Sequence, residues 1–518
     1  MLSSMTDDEV RPELAEVLRR HEMLTDAARP EAIAKRHALG RRSVRENLAD
    51  LFDPGSFDEW GGLTVAAQRS RRELADLIEA TPADGVVTGV GTVAGRWVAV
   101  IGYDATVLAG TQGLAGHKKT DRILDVIGRE RLPLVLFAEG GGGRPGDTDV
   151  PTVGGLDVLT FRRFAALSGV VPRIGIASSR CFAGNATLFG LCELTIATPE
   201  ASIGMAGPAM IEGGGLGVVD PDEVGPREVH IGNGNVDVAA ADDADAVDIA
   251  RRALALFGPA AAHWTEADQR ALRDVVPANR RRAYEVRTAI DLIADEGSVL
   301  ELRPRFGRGM VTALARLQGR PIGVIANNPM HLAGAITADC ADKAARFLQL
   351  CDAFDLPVLS LCDTPGIMVG PAAEVTGLVR HTARLFTVGA TMTVPMVTVI
   401  LRKGYGLGAM AMAGGDFHAT LATLAWPTGE VGGMGLEGAV RLSMRKELAA
   451  VPDDADRERL FDELVAAAYA RGNALSAATY DEIDDVIDPA DTRRRVAALL
   501  SAWQPPPRDG RRRVVDTW

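Results

Sequence analysis

The five cysteines of this 518-residue sequence, Cys181, Cys192, Cys340, Cys351 and Cys362, form no C-x-x-C pair. That excludes a zinc ribbon, and at this length a disulfide framework is not expected. They read as buried, reduced thiols of a cytoplasmic protein. The eight histidines are scattered and form no H-E-x-x-H, so no metal site is expected. No stretch approaches about 18 uninterrupted apolar residues, so no transmembrane helix is expected. The first nine residues are acidic and carry no apolar core, unlike a signal peptide. Positive charge is also in the minority: Lys+Arg 56 against Asp+Glu 69 gives a net −13. A general nucleic-acid binder is excluded on that ground, and any bound anion needs a local basic pocket or backbone amides. Aromatics are only 5% while glycines number 56, so the core must be built mainly from Ala, Val, Leu and Ile.

The hydrophobic share of 47% supports folded domains, and the length suggests two to four of them. Leu14, Val17, Leu18 and Met23 recur at helical spacing, and residues 10–50 read as helix up to the break at Pro54-Gly55. From Val86 onward short apolar strands alternate with helices. Strands are expected at 98–101, 134–137 and 173–177, and helices at 118–131 and 159–167. This alternation argues for α/β layers with largely parallel strands. Residues 212–248, rich in Gly and Asp, read as a long excursion. Residues 258–283 read as a linker.

An internal repeat organises the rest. Gly95-Arg96 before Val98-Ala-Val-Ile101 recurs as Gly319-Arg320 before Ile322-Gly-Val-Ile325, 224 positions on. Leu132-Pro-Leu-Val135 recurs at the same offset as Leu356-Pro-Val-Leu359, and Glu139–Gly142 falls on Asp363–Gly366. Val171-Pro172 falls on Val394-Pro395, and the segment 180–186 falls on 403–409, both 223 positions on. Upstream, Asp53-Pro-Gly-Ser56 echoes Asp295-Glu-Gly-Ser298. A period above 200 residues means two copies of one domain.

Each copy places glycine-rich turns at two strand ends: 139–143 and 182–185 in the first, 363–367 and 405–408 in the second. Such turns bring backbone close to a ligand and leave N–H groups free, and two amides converging on one oxygen make an oxyanion hole. Other chemistries fail on the residues. Glu139-Gly-Gly-Gly-Gly-Arg144 lacks the Gly-Lys-Ser/Thr ending of a P-loop, and no G-x-S-x-G elbow is present. Arg280-Arg281-Arg282 reads as a solvated face and His381 as structural. The chain thus offers anion-stabilising backbone twice over and no obvious acid, base or nucleophile.

Duplicated halves with paired amide sites resemble the crotonase superfamily. More closely, the chain resembles the carboxyltransferase (beta) subunit of biotin-dependent acyl-CoA carboxylases of the acetyl-/propionyl-CoA type. The resemblance runs from about Arg36 to about Arg445. It is most specific at 319–327, at Asp342-Lys-Ala-Ala-Arg-Phe347, at Thr364-Pro-Gly366, at 394–403 and at Ala425-Trp-Pro-Thr428.

The resemblance implies a tandem pair of crotonase-like β-β-α superhelix domains. Residues 1–262 would form the acyl-CoA side and residues 263–518 the biotin side. Carboxybiotin, on a separate carrier, would give up its carboxyl group and then serve as the base for the α-proton of the thioester. By position, Gly184 and Asn185 would hold the enolate oxygen and Leu407 and Gly408 the ureido oxygen. Gly142-Gly143 and Gly366-Ile367 would face them, with Ala183, Gly406, Ala409 and Met410 flanking the pairs. The family usually has Gly-Gly at 184–185 and Gly-Ala at 407–408, so the side chains of Asn185 and Leu407 need room that it does not provide. Met410 stands where short-chain members often carry a polar residue, which points to an apolar acyl chain. With no biotin-attachment Met-Lys-Met and no ATP-grasp-like segment, the chain would be one subunit. It would need a biotin carboxylase and a carrier and form a hexamer, a trimer of dimers, whose sites join halves of different subunits. The rival readings are a biotin-dependent decarboxylase, a hydratase or isomerase of the same superfamily, and a silent paralogue kept as a scaffold.

Overall fold

The computed structural model describes residues 10–150, 153–504 and 513–518. The chain divides into two compact units, one running to Leu254 and one from Ala255 to Asp516.

The first unit carries a seven-stranded sheet. Its strands are β1 (Asp58–Trp60), β2 (Val86–Val93), β3 (Arg96–Tyr103), β4 (Leu134–Phe137), β5 (Arg173–Ala177), β7 (Leu194–Ala197) and β9 (Val238–Ala239), neighbours in that order. β1, β2 and β3 pair antiparallel, and every pairing from β3 onward is parallel. β6 (Arg180–Phe182) and β8 (Ser202–Gly204) form a separate two-stranded parallel sheet. Three helices position the site: α1 (Val44–Leu51), α2 (Leu114–Glu130) and α3 (Gly184–Gly190). A capping box of Ser43 and Glu46 starts α1. α2 buries Ile123, Leu124, Val126 and Ile127 on one face and stops at Arg131, whose φ of 55° ends the helix.

The second unit repeats this plan. Its strands are β10 (Leu300–Leu302), β11 (Met310–Leu317), β12 (Arg320–Asn327), β13 (Val358–Thr364), β14 (Met396–Tyr405), β15 (Ala422–Ala425), β16 (Glu430–Gly432) and β17 (Asp485–Val486). Its helices include α4 (Val286–Ile293), α5 (Ala338–Ala353), α6 (Leu378–Thr391) and α7 (Gly406–Met412). β14 joins in one strand what β5 and β6 do separately. Its first half pairs β13 and β15, and its last three residues turn to β16. Val358–Thr364 is buried throughout, apolar at Val358, Leu359 and Leu361 and polar at Ser360, Asp363 and Thr364.

The repetition extends to polar groups. The pair Arg45–Glu59 recurs as Arg287–Glu301, each partner 242 positions on. Asp53 accepts the N–H groups of Ala94 and Gly95 at 3.0 and 2.8 Å, and Asp295 those of Gln318 and Gly319 at 2.8 and 2.7 Å. Buried Lys119 donates to the carbonyls of Ala83 and Val86, and buried Lys343 to those of Arg303, Phe306 and Met310. Burial pushes both ammonium groups down to about 8. The offset shrinks from 242 to 224 between β1 and β2, where the first unit carries the added helix Leu74–Ala80.

Three expectations need correction. Residues 10–50 form three helices, Pro12–Glu22, Pro30–His37 and α1, because Pro30 and the capped Ser43 start new ones. Residues 258–283 are not a linker. Leu272 and Val276 are buried in the second unit's core beside Tyr284, and Ala261 donates to the Gly319 carbonyl. The excursion at 212–248 contains helix Arg227–Gly232, strand β9 and the start of helix Asp243–Leu256, whose Ala246, Val247 and Ala250 are buried. The five cysteines are free and buried.

Candidate active site

The first unit's site is built where β4 and β6 end. Residues 139–143 follow β4, and Gly140 is tied to β6 by two bonds, Gly140 N–H to the Arg180 carbonyl and Phe182 N–H to the Gly140 carbonyl. Gly142, at φ 87°, gives its carbonyl to Gln112 N–H at 2.7 Å. Arg144 N–H returns to the Gln112 carbonyl at 2.9 Å. Ala183 then turns the chain into α3 with φ 50° and ψ −116°, a conformation that a residue with a Cβ adopts only under constraint. The opening N–H groups of an α-helix have no partner within it. Among the described residues nothing accepts from Gly184 or Asn185 N–H, so both remain open as donors.

The side chain of Asn185 does not enter the space in front of these donors. It is fully buried, and its Oδ1 accepts Gly142 N–H at 3.0 Å. The room that this side chain needs is found behind the pair, between α3 and the glycine loop. Gly184 is walled in on its open side: a Cβ there would collide with Gln112 Oε1 and stand 3.1 Å from Phe161 Cζ.

The second unit rebuilds the site from other side chains. Gly366, at φ 122°, gives its carbonyl to Ile336 N–H at 3.1 Å, and Met368 N–H returns to the Ile336 carbonyl at 2.9 Å. These are the Gln112 bonds moved 224 positions. Gly406 takes the place of Ala183 with φ 55°. Leu407 and Gly408 N–H open α7, and among the described residues nothing accepts from either. Here the glycine loop closes directly on the helix. A Cβ at Gly408 would lie 2.6 Å from Gly366 Cα and 3.0 Å from Ile367 N, so only glycine fits. Gly366 N–H is met by Thr364 Oγ1 at 3.1 Å instead of by an asparagine. The Leu407 side chain is 60% exposed and leaves the pocket altogether, and Met410, one turn on, is 36% exposed. Ala409, within α7, is buried.

The carboxylates next to both loops are committed. Glu139 forms two bonds with Arg36, at 2.7 and 3.0 Å. Fully buried Asp363 pairs with Arg402 at 3.1 Å and Lys403 at 2.5 Å. Below α7, Tyr405 donates to Glu430 at 2.8 Å, and burial raises both groups above their ordinary values. Arg280 reaches Glu430 at 3.2 Å and lies over the Tyr469 ring, while Arg280, Arg281 and Arg282 all remain exposed to solvent. His381 pairs with Asp342 at 2.5 Å. Among the described residues no group of three or more His, Cys, Asp or Glu side chains is placed to hold a metal ion. No described helix is long and apolar enough to cross a membrane. The structure therefore brings each glycine loop against its amide pair: Gly142 against Ala183 and Asn185, and Gly366 with Ile367 against Gly408. Gln112, Phe161, Thr364 and the Asp363 ion pairs were not anticipated. A signal for Gln112 existed in Leu108-Ala-Gly-Thr-Gln112, which repeats Leu332-Ala-Gly-Ala-Ile336 at 224.

Residues 35–512 match the carboxyl transferase domain family. The chain belongs to that family. It is 36% identical over 488 residues to the methylmalonyl-CoA carboxyltransferase 12S subunit of Propionibacterium freudenreichii subsp. shermanii, covering 91% of this chain and 90% of that one. Among solved structures, a single-chain, multi-domain long-chain acyl-CoA carboxylase matches with 57% identity and a TM-score of 0.90. The match covers 95% of this chain, which spans 49% of that one. The hexameric transcarboxylase 12S core matches with 32% identity and a TM-score of 0.83, covering 99% of this chain and 100% of that one. The two units are thus crotonase-like domains in tandem, and the chain is a carboxyltransferase of the biotin-dependent acyl-CoA carboxylase class.

Proposed function

We propose that this chain moves a carboxyl group from carboxybiotin, carried on a separate subunit, to the α-carbon of an acyl-CoA. The observation that carries the reading is the open donor pair at the head of α3, met again at the head of α7, with the neighbouring carboxylates locked in ion pairs. The first unit takes the acyl-CoA. Gly184 and Asn185 N–H hold the thioester oxygen and stabilise the charge that develops there as the α-proton leaves. Ala183 sets the angle of that pair, and Gly142-Gly143 form the opposing wall. The second unit takes the biotin. Leu407 and Gly408 N–H hold the ureido oxygen, Gly366 and Ile367 back them, and Gly406 and Ala409 fix the turn. Two converging N–H donors would suit a ureido oxygen that gains negative charge as the carboxyl group leaves. When bound, carboxybiotin supplies the carboxyl group and afterwards the base for the α-proton. No side chain of this chain has to ionise, which agrees with the paired state of Glu139 and Asp363.

The partners are a biotin carboxylase and a biotinylated carrier, acting in the cytoplasm. Each complete site joins the first unit of one copy to the second unit of another, in a hexamer built as a trimer of dimers. The substrate class is a long-chain acyl-CoA. The 57% identity to a long-chain carboxylase supports it, as does the partly exposed apolar side chain of Met410.

The test is carboxyl transfer by the purified chain with biotin carboxylase, biotinylated carrier, ATP and bicarbonate, across acyl-CoAs from acetyl to palmitoyl. Transfer that rises with chain length and vanishes without the partners is expected. Carboxylation by the chain alone, or an active monomer in sedimentation, contradicts the reading.

A further inference from the structure

Gln112 is 5% exposed, and its backbone is zipped to the glycine loop on both sides, as described above. Its side-chain nitrogen donates to the Tyr103 hydroxyl at 3.0 Å. Its Oε1 lies against the Cα of Gly184, the first residue of the amide pair, and among the described residues no donor meets it. Held rigidly and given no donor by the described residues, this carbonyl oxygen is not fully enclosed, so water or a ligand N–H can reach it and complete its bonding. The repeat isolates the feature. The residue with the same backbone bonds in the second unit is Ile336, fully buried and apolar. Shared scaffolding therefore does not require an acceptor at this position; only the first unit has one.

We infer that Gln112 Oε1 binds an N–H of the acyl-CoA itself: the amide of the pantetheine arm nearest the sulfur. This deepens the reading in which the first unit holds the thioester, and it rests on that reading. A thioester placed with its oxygen on Gly184 and Asn185 N–H has no donor of its own at the reacting end. Its nearest N–H sits two carbons beyond the sulfur, the next polar group along the arm. One acceptor beside two donors then reads the thioester and its arm together, and fixes which way the acyl group points.

The experiment compares two short substrates in the reconstituted system: an S-acyl-N-acetylcysteamine and its isostere with an ester oxygen in place of the amide N–H. The wild-type chain should prefer the amide by about five- to tenfold in kcat/KM, the scale of one hydrogen bond. Gln112→Leu should erase that preference while leaving the KM for the biotinylated carrier unchanged. Gln112→Glu, which keeps an acceptor, should retain it. If Gln112→Leu does not assemble, Gln112→Met serves, since it fills the same space without an acceptor. A wild-type chain indifferent to the swap, or a Leu or Met variant that keeps the preference, overturns the inference. Failure of the wild-type chain to carboxylate any thioester, acyl-CoA included, overturns the underlying reading, and that result is distinct from indifference to the swap.

Discussion

The two units present the same pair of backbone donors on differently built supports. In the first, the glycine loop stands back from α3 by the width of an amide, and Asn185 fills the gap and bonds Gly142. In the second, the loop drops onto the helix and Gly408 accepts it only because it has no Cβ. In front of the pairs the difference reverses. Gly184 lies under Gln112 and Phe161, whereas Leu407 projects into the open. Backbone geometry is thus what duplication preserved, from the carbonyl of Gly142 or Gly366 to the positive φ of Ala183 or Gly406. Side chains on either side of it diverged, and they decide which oxygen each pair can take.

The sharpest way to break this comparison is to delete one donor of the second unit's pair. In the second unit Leu407→Pro is the clean choice. The side chain is exposed, the position lies in the first turn of α7 where proline is tolerated, and the N–H disappears. Turnover should fall by about 10²–10³, the scale of one oxyanion-hole donor, with acyl-CoA affinity and assembly intact, as read by titration and sedimentation. Gly408→Pro is a poorer test, because its ring would also strike Gly366. Loss of acyl-CoA binding in Leu407→Pro would show that the two units carry the opposite ligands.

The lysine pair tests whether the scaffolds are equally loaded. Lys343→Met removes three hydrogen bonds and Lys119→Met two, so unfolding by denaturant should show a loss of about 3 kcal/mol for the first and less for the second. Equal losses would mean that the third bond contributes nothing.

Asn185→Ala keeps its N–H and removes the brace on Gly142. The donor pair survives but the loop loses its support. Activity should fall by about tenfold, with a stability loss of about 1–2 kcal/mol. Asn185→Asp keeps the acceptor and should recover much of the stability in a melting series. An unchanged melting profile in Asn185→Ala would mean that the loop holds itself, as its counterpart does in the second unit.

The smallest effect concerns pH. Burial lowers the pKa of His230 below its ordinary 6.5, against the bond to the Ile203 carbonyl. The neutral ring is the folded form, so its stabilisation is complete above pH 6.5. It is lost as pH falls below that value, where the unfolded chain takes up the proton first. Melting temperature should therefore drop between pH 7.5 and 5.5, and slightly less in His230→Asn. A steeper drop in the variant would reverse the sign assigned here.

What the sequence determined by itself was periodic or repeated: strands at 134–137 and 173–177 to the residue, the tandem units, and the glycine turns that carry the open amides. Apolar runs and glycines report local backbone requirements, and a duplication displays each of them twice. The stretch 258–283 escaped because its buried residues Leu272 and Val276 sit on a short 3₁₀ turn and the bend that follows it and show no strand or helix period. Where side chains around the amides point was decided by tertiary structure alone. Asn185 turns inward because a loop 43 residues away offers a donor, Leu407 stays exposed beside the Gly408 that its loop closes on, and Gln112 meets Gly184 from the segment just before α2. Those directions depend on distances between segments remote in sequence, and no local pattern encodes them.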